Sequence, residues 1–303
     1  MSSPDGSDRR SGAALMTTTN WPTDSWVRPE PVPVDTGVSL AVRVLEGDGQ
    51  PVVLVHGLAS NALLWRGVAE DLNHRGHAIA CIDLRGHGRS DRPPQGHTTT
   101  QASVDLNACI TAMGWADRQP IVAGQSWGGN VVLRAAQTSD QWAGVAAVDG
   151  GWIHLRRRFE SFDDCWEQLA PPDFGQRAPD EALSWIRAMV QNWPPGAVEA
   201  VIGNLEVVDG QVRNRLDRRH HRSIVHSLWS DDPADIYPDV AVPVSLIVAG
   251  RSTSDDVEAA SAALPDATVS WHPEAHHDIH LQHPDLVSGE LLALLDRVKG
   301  SAA

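Results

Sequence analysis

Cysteine, lysine and long apolar runs are scarce in this chain of 303 residues. The three cysteines, Cys81, Cys109 and Cys165, are far apart and form no CxxC pair. This number and spacing indicate neither a disulfide framework nor a thiolate metal site, so a reducing, cytoplasmic setting is expected. Lysine occurs once, at Lys299, and arginine therefore supplies almost all of the positive charge.

Long apolar segments are absent from the sequence as well. No stretch of about 18 apolar residues occurs, which excludes a predicted transmembrane helix. The first 20 residues are polar and small, and their longest apolar run, 13–16, is too short for the core of a signal peptide. We expect residues 1–25 to form a disordered tail.

Basic residues are outnumbered by acidic ones, 24 to 39, which gives a formal net charge of −15. Such a surface repels phosphate backbones and anionic lipid headgroups, so the composition argues against a nucleic-acid or membrane partner. A neutral or weakly polar small-molecule substrate fits the composition better. The sequence does not indicate an oligomeric state.

Short apolar runs alternate with helical patterns in residues 26–151 and 238–300, which is typical of an α/β fold with a mostly parallel sheet flanked by helices. Strands are predicted at 38–45, 51–55, 78–84, 120–123, 145–148, 242–249 and 268–271. Helices are predicted at 61–75, 99–113, 255–264 and 284–298, and after Ser126. Residues 152–237 show no convincing strand pattern and several tryptophans, so they are predicted to be an inserted helical cap.

The sequence GQSWG at 124–128 is the strongest local motif. It follows a predicted strand and opens a predicted helix. A serine on such a sharp turn has a strained backbone that exposes its hydroxyl above the sheet edge. Small residues are needed at 124 and 128 because a Cβ there would collide with the turn. Ser126 is therefore predicted to be a nucleophile, in preference to a place in an ordinary glycine-rich turn.

A serine needs a base, because its hydroxyl is a weak nucleophile at its own pKa. The sequence AHHDIHLQHP at 275–284 forms a predicted loop after a strand, from which a histidine can reach the carboxyl edge of the sheet. His276, His277, Asp278 and His280 would be the ligands of an alternative metal site. None of the familiar ligand spacings is met there, so neither a metal nor a cofactor is expected.

Backbone amides for an oxyanion are predicted at two positions. Leu58 follows the His56-Gly57 turn after a buried strand, and Trp127 stands at the start of a helix. Their N–H groups are placed to bind an alkoxide that develops on a carbonyl substrate. Loss of one such donor typically costs roughly 100- to 1,000-fold in rate.

Four motifs in this order resemble the α/β-hydrolase fold superfamily, and within it the serine hydrolase or esterase-like branch. They are VLVHG at 53–57, DLRGHGRS at 83–90, GQSWGG at 124–129 and HDIH at 277–280, and the resemblance covers about residues 30–298. It implies that Ser126 is the nucleophile, that Leu58 and Trp127 are the oxyanion donors, and that His277 is the catalytic histidine.

Two histidines near these motifs need separate assignment. His276 stands where the family usually has glycine, and the spacing to His280 and Pro284 selects His277 over it. The resemblance assigns His87 to a loop that is mostly structural, so His87 is not a catalytic candidate.

The resemblance leaves the triad acid open. The usual position is Thr253, and Asp255 and Asp256 follow it closely, although Asp255 with Glu258 also matches a helix capping box. Some family members place the acid at the end of the preceding strand, where this chain has Asp149. An Asp-Gly turn would explain Asp149 structurally. We favour Asp149 as the acid, with Asp255 and Asp256 as alternatives.

The predicted function is hydrolysis of an ester, lactone or thioester of a small, largely apolar substrate, by a Ser-His-Asp triad through an acyl-enzyme and without a cofactor. A C–C bond hydrolase, an iminopeptidase-like enzyme and a non-catalytic binding protein on a hydrolase fold remain as alternatives. Epoxide hydrolase and dehalogenase chemistry is disfavoured, because those branches have aspartate where this chain has Ser126.

Overall fold

A computed structural model of the chain describes residues 26–172, 177–250 and 254–301. The predicted tail, residues 1–25, and Thr253 lie outside the described residues. No helix within the described ranges is both long and apolar enough to cross a membrane.

The described residues form ten strands in two sheets. The strands are β1 (Glu30–Asp35), β2 (Val38–Leu45), β3 (Gly49–Val55), β4 (His77–Asp83), β5 (Ile121–Gln125), β6 (Gly144–Val148), β7 (Leu205–Val208), β8 (Gln211–Asn214), β9 (Val244–Ala249) and β10 (Ala267–His272). Eight of them make one sheet in the order β1-β2-β4-β3-β5-β6-β9-β10, and β7 pairs with β8 in a separate hairpin.

The helices alternate with the strands of the large sheet. They are α1 (Arg66–His74), α2 (Thr99–Ala112), α3 (Trp127–Gln137), α4 (Phe162–Leu169), α5 (Pro179–Met189), α6 (Ala197–Ile202), α7 (Arg218–Ser230), α8 (Ser254–Ala263), α9 (Ile279–Gln282) and α10 (Pro284–Ser301). The helix predicted at 61–75 is divided into a 3-10 turn, Ala62–Trp65, and α1.

The large sheet is mostly parallel, which confirms the predicted fold class. Only β2 is antiparallel to its neighbours, β1 and β4. Strand β1 is absent from the sequence prediction, because Pro31 and Pro33 weaken its strand pattern. Proline is tolerated at the edge of a sheet, where its missing N–H needs no partner, and β1 is the edge strand.

The core lies on both faces of the sheet. Every residue of β4, β5 and β6 is buried, as expected for parallel strands covered on both sides. Alternate side chains point to opposite faces: Val53 and Val55 pack in one cluster with residues of α2 and α3, whereas Val52 and Leu54 pack in another with α1 and α10. The sheet is therefore a rigid frame for the loops at its ends.

The insertion, residues 152–237 between β6 and β9, contains α4 to α7 and the hairpin. The sequence-based expectation of no strand there is wrong. Asp209 and Gly210 both have positive φ, 51° and 75°, as a tight hairpin turn requires. Asp-Gly between apolar residues is a known signal for such a turn. The description of the insertion as a cap stays a prediction.

The insertion contacts the loops that follow β3 and β4. Asn61 donates to the carbonyl oxygen of Ala200 at 2.8 Å and to Asn204 at 2.6 Å. Arg92 forms a bidentate ion pair with Glu206 of β7, in which Nη1 and Nη2 donate to Oε1 and Oε2 at 2.9 and 3.0 Å. These contacts hold the insertion against the carboxyl edge of the sheet.

Candidate active site

The predicted site residues follow the carboxyl ends of neighbouring parallel strands. Ser126 comes directly after β5, Asp149 after β6, and Leu58 three residues after β3. His277 lies in the loop between β10 and α9. Because parallel strands end at the same edge, the sheet brings these residues to one edge of the molecule.

The turn at Ser126 is strained and tightly packed. Its φ of 55° and ψ of −123° lie in a region that residues other than glycine rarely adopt. The Ser126 N–H donates to the carbonyl oxygen of Val148 at 2.9 Å. A Cβ at Gly124 would lie 2.2 Å from the carbonyl oxygen of Gly128, and one at Gly150 would lie 2.0 Å from that of Ser126. The turn therefore requires glycine at these positions.

His277 and Asp149 form a direct pair. Nδ1 of His277 lies 2.6 Å from Oδ2 of Asp149, and Oδ1 of Asp149 accepts from the Ala249 N–H at 3.1 Å. The Asp149 N–H donates to the carbonyl oxygen of Ile247 at 2.7 Å. The buried carboxylate is thus fixed in orientation, and the outer nitrogen of the imidazole, Nε2, is left to act on a neighbouring group.

The imidazole of His277 has an altered pKa. Partial desolvation lowers this pKa, but the hydrogen bond to Asp149 and the negative charges of Asp149 and Asp278 outweigh it, so that the pKa lies above its ordinary value of 6.5. Desolvation also raises the pKa of Asp278, which neighbours this pair. The electrostatics favour the protonated imidazole that a general base becomes.

Two contacts join the serine turn to the histidine loop and to the loop after β6. The side-chain amide of Gln125 donates to the carbonyl oxygen of His277 at 3.1 Å, and Gly150, next to Asp149, packs directly on the Ser126 backbone. Ser126 Oγ forms no hydrogen bond with another described residue. Catalytic hydrogen bonds are often long without substrate, so this open geometry is compatible with a serine–histidine pair. Sequence reasoning missed Gln125, although it is part of the GQSWG motif.

The alternative acids are not joined to His277. Oδ1 of Asp256 accepts from Arg157 at 3.0 Å, and Asp255 is exposed at the start of α8. Within the described ranges, Asp149 is the carboxylate that hydrogen-bonds the His277 ring. His276 is exposed beside it.

The amides of Leu58 and Trp127 are available at this edge. Neither donates a hydrogen bond to another residue in the described part of the chain. Gly57 lies against the serine, because a Cβ there would be 3.0 Å from Ser126 Cβ. Ala59 has a positive φ of 54°, so the loop after Leu58 is also strained.

Three buried histidines near the site have structural surroundings. His56 contacts the Gly57 carbonyl oxygen through Nδ1 and accepts from the Leu84 N–H, and His87 contacts the Arg85 carbonyl and accepts from the Ala59 N–H. Burial lowers the pKa of both rings, which are therefore neutral.

The third of these, His280, is fully buried against Trp65. Burial lowers the pKa of His280 to about 3. His276, His277, Asp278 and His280, the residues of the disfavoured alternative, are not part of any group of three or more His, Cys, Asp or Glu side chains that could hold a metal ion among the described residues.

Comparison with known proteins gives matches to hydrolases. A family model described as "alpha/beta hydrolase fold" matches residues 50–180. The chain is 28% identical to the 2-(acetamidomethylene)succinate hydrolase of Mesorhizobium japonicum over 279 residues, which is 87% of this chain and 94% of that protein.

Solved structures support the same fold. The crystal structure of E-2-(acetamidomethylene)succinate hydrolase superimposes with a TM-score of 0.71 and 22% identity, covering 88% of this chain and 98% of that one. An esterase from Exiguobacterium antarcticum gives a TM-score of 0.67 and 18% identity, covering 89% and 98%. At these identities, the structural likeness carries the fold alone.

Proposed function

Because this chain belongs to the α/β-hydrolase fold superfamily, we propose that it is a serine hydrolase of ester, lactone or thioester bonds. Ser126 is the nucleophile, His277 the general base and Asp149 the acid. The observation that carries the proposal is the 2.6 Å contact between His277 Nδ1 and Asp149 Oδ2, at the edge of the sheet where the strained Ser126 turn lies.

The proposed reaction is acyl transfer to water. His277 Nε2 takes the Ser126 proton as the hydroxyl attacks the substrate carbonyl, and Asp149 stabilises the imidazolium that forms. The Leu58 and Trp127 amides bind the oxyanion. The imidazolium then gives its proton to the leaving group, and the neutral ring activates a water molecule that hydrolyses the acyl-enzyme.

An amide is the second candidate bond. The Mesorhizobium relative is named for a substrate with an acetamido group on a succinate. Acyl transfer through a serine serves amides as well as esters, since the leaving group is protonated by the same imidazole. The rates of hydrolysis of p-nitrophenyl butyrate and butyryl p-nitroanilide distinguish the two candidates. Cleavage of the ester alone would rule out amide hydrolysis.

Labelling with a fluorophosphonate tests the nucleophile. We expect the wild type to be labelled and Ser126→Ala to be unlabelled, because the probe reacts covalently with an activated serine. Ser223→Ala is the matched control, since Ser223 is exposed on α7 and its loss should leave labelling unchanged. Labelling that persists in Ser126→Ala would remove Ser126 from the proposed role.

A further inference from the structure

A narrow pocket lies where the loop after β3 meets the insertion. Its wall includes Ala59, Ser60, His87, Arg215 and His221, and the pocket is open to solvent. Ala59 and Ser60 directly follow Leu58, the proposed oxyanion donor. The pocket therefore borders the loop that carries the proposed oxyanion donor, where this loop meets the insertion.

Two buried polar atoms of this wall have no partner within the described part of the chain. They are Ser60 Oγ and His221 Nδ1, in side chains that are 9% and 6% exposed. His221 Nε2 lies 3.1 Å from the carbonyl oxygen of Leu169, which makes Nε2 the protonated nitrogen and leaves a lone pair on Nδ1. Buried polar groups in native proteins are nearly always hydrogen-bonded, so this wall is suited to a ligand that supplies the partners.

The charge at the pocket is positive, in contrast to the chain as a whole. The Arg215 side chain donates to the carbonyl oxygens of Leu205 at 3.0 Å and Gly88 at 3.4 Å, and lies 3.7 Å from Glu206. Burial, together with the nearby charges of Arg89 and Arg92, lowers the pKa of Arg215.

Arg89, Arg92 and Arg215 thus outnumber the two acidic side chains in this region, Glu206 and Asp83, in a protein with a formal net charge of −15. A local excess of positive charge raises the concentration of an anionic ligand at the pocket mouth.

We propose that this pocket binds a carboxylate of the substrate, so that the enzyme acts on an acyl compound whose acyl chain ends in a carboxyl group. The inference rests on the proposed hydrolase function and names its substrate class. Arg215 and the Ser60 hydroxyl donate to the carboxylate oxygens, which accept hydrogen bonds only. An anionic acyl compound of this kind differs from the neutral or weakly polar substrate that the composition favours.

Two esters of equal chain length test the proposal. p-Nitrophenyl hemiglutarate carries a carboxylate where p-nitrophenyl valerate carries a methyl group. We expect wild-type kcat/KM to be at least about 10-fold higher for the hemiglutarate, after subtraction of its spontaneous hydrolysis. Arg215→Gln should lower kcat/KM for the hemiglutarate by about 10- to 100-fold, the range for hydrogen bonds to charged groups, and for the valerate by less than about 3-fold.

Arg213→Gln is the matched control. Arg213 is exposed on β8, two residues from Arg215, and its substitution removes the same charge. It should change both rates by less than about 3-fold. Because Arg215 also holds two backbone carbonyls, Ser60→Ala provides a variant with a smaller effect on folding, and it should reduce the hemiglutarate preference by about 5-fold.

Calorimetry with glutarate makes the test independent of catalysis. Glutarate should bind the wild type and Arg213→Gln and should fail to bind Arg215→Gln. Equal rates on both esters in the wild type, or equal glutarate binding in the wild type and Arg215→Gln, would overturn the carboxylate pocket. Loss of the hydrolase function is distinguishable, because neither ester would be cleaved and the fluorophosphonate would label no serine.

Discussion

The catalytic edge and the pocket at the insertion differ in how their buried polar groups are partnered. At the edge, both carboxylate oxygens of Asp149 have a hydrogen bond and His56 uses both ring nitrogens, whereas His280 has no partner among the described residues on either nitrogen. In the pocket, Ser60 Oγ and His221 Nδ1 have none from another described residue. The Asp149–His277 pair is therefore organised before substrate binds, whereas the proposed carboxylate would supply a partner to the Ser60 hydroxyl.

The two regions also differ in the origin of their geometry. Ser126 and Asp149 are positioned by the ends of hydrogen-bonded strands, so their separation is fixed by the sheet. The pocket is assembled from segments far apart in sequence, the loops after β3 and β4 and the hairpin. Preorganised dipoles at the catalytic edge would lower the barrier of the proposed hydrolysis. The wall of the pocket would instead select among substrates.

The largest effect is expected at the Asp149–His277 pair. Asp149→Asn should lower kcat for p-nitrophenyl valerate on the order of 10⁴-fold, because an amide cannot hold the imidazole in the required tautomer or stabilise its cation. Asp256→Asn is the matched control, since Asp256 pairs with Arg157. Steady-state rates should change by less than about 3-fold in this control and in Asp255→Asn.

The pH profile of the same variant gives a second readout. Activity should fall as the pH drops through the raised pKa of His277, because only the neutral imidazole accepts a proton. The midpoint of the acidic limb of the wild-type profile should thus lie above pH 6.5. This midpoint should move to lower pH in Asp149→Asn. An unmoved limb, or a larger loss of rate in Asp256→Asn, would break the assignment of the acid.

The next largest effect on activity is expected from a steric change at Gly150. In Gly150→Ala the new Cβ would lie 2.0 Å from the carbonyl oxygen of Ser126. Because this oxygen belongs to the backbone, it can move only if the serine turn is displaced. A misplacement of about 1 Å near reacting groups costs on the order of 10²-fold, so we expect kcat to fall by about that factor.

Gly289→Ala on α10 is the control for the glycine change. A Cβ at Gly289 would meet nothing within 4 Å, and this helix position needs no positive φ. Activity should be unchanged and the free energy of unfolding should rise by up to about 1 kcal/mol. Wild-type kcat in Gly150→Ala would show that the serine turn tolerates displacement.

The two regions also differ in how far the sequence predicts them. The strands of the catalytic edge are continuous apolar runs that end in Gly-Gln-Ser-Trp-Gly and Asp149-Gly150, so local pattern and position coincide. The choice between Asp149 and Asp255 depended on distance in space, which a single sequence does not contain. In the structure, His277 is hydrogen-bonded to Asp149, and Asp256 to Arg157.

The pocket could not be predicted, because its residues share no motif. Ser60, Arg215 and His221 come together only through the fold of the insertion, and each alone looks like an ordinary surface or helix residue. The hairpin that carries Arg213 next to Arg215 had a readable signal, Asp209-Gly210, but its strands have four residues each, too short for a clear alternation.

At the pocket, pH should affect stability rather than rate. Burial lowers the pKa of His221 from 6.5 to about 4. The unfolded chain therefore binds more protons than the folded one between these values, and the free energy of unfolding falls as the pH decreases through this window. Between pH 7 and pH 5 the contribution of His221 is about 2 kcal/mol.

Urea unfolding at the two pH values measures this contribution. In His221→Gln the amide can still donate to the Leu169 carbonyl, and the loss of stability between pH 7 and pH 5 should be smaller than in the wild type by about 2 kcal/mol. His74→Gln, at an exposed position on α1, should keep the wild-type pH dependence. The same dependence in His221→Gln and the wild type would mean that this ring is hydrated or already paired.

The smallest effect is expected at the ion pair between Arg92 and Glu206, which joins the loop after β4 to the hairpin. Both side chains are about one-third exposed, and Glu206 keeps Arg215 as a second partner at 3.7 Å. Arg92→Gln should therefore lower the free energy of unfolding by less than about 1 kcal/mol, and less again in 0.5 M salt. A double-mutant cycle with Glu206→Gln isolates the pair. A coupling above about 2 kcal/mol would mean that ionic contacts fasten the insertion to the core, and the pocket would then be nearly as rigid as the catalytic edge.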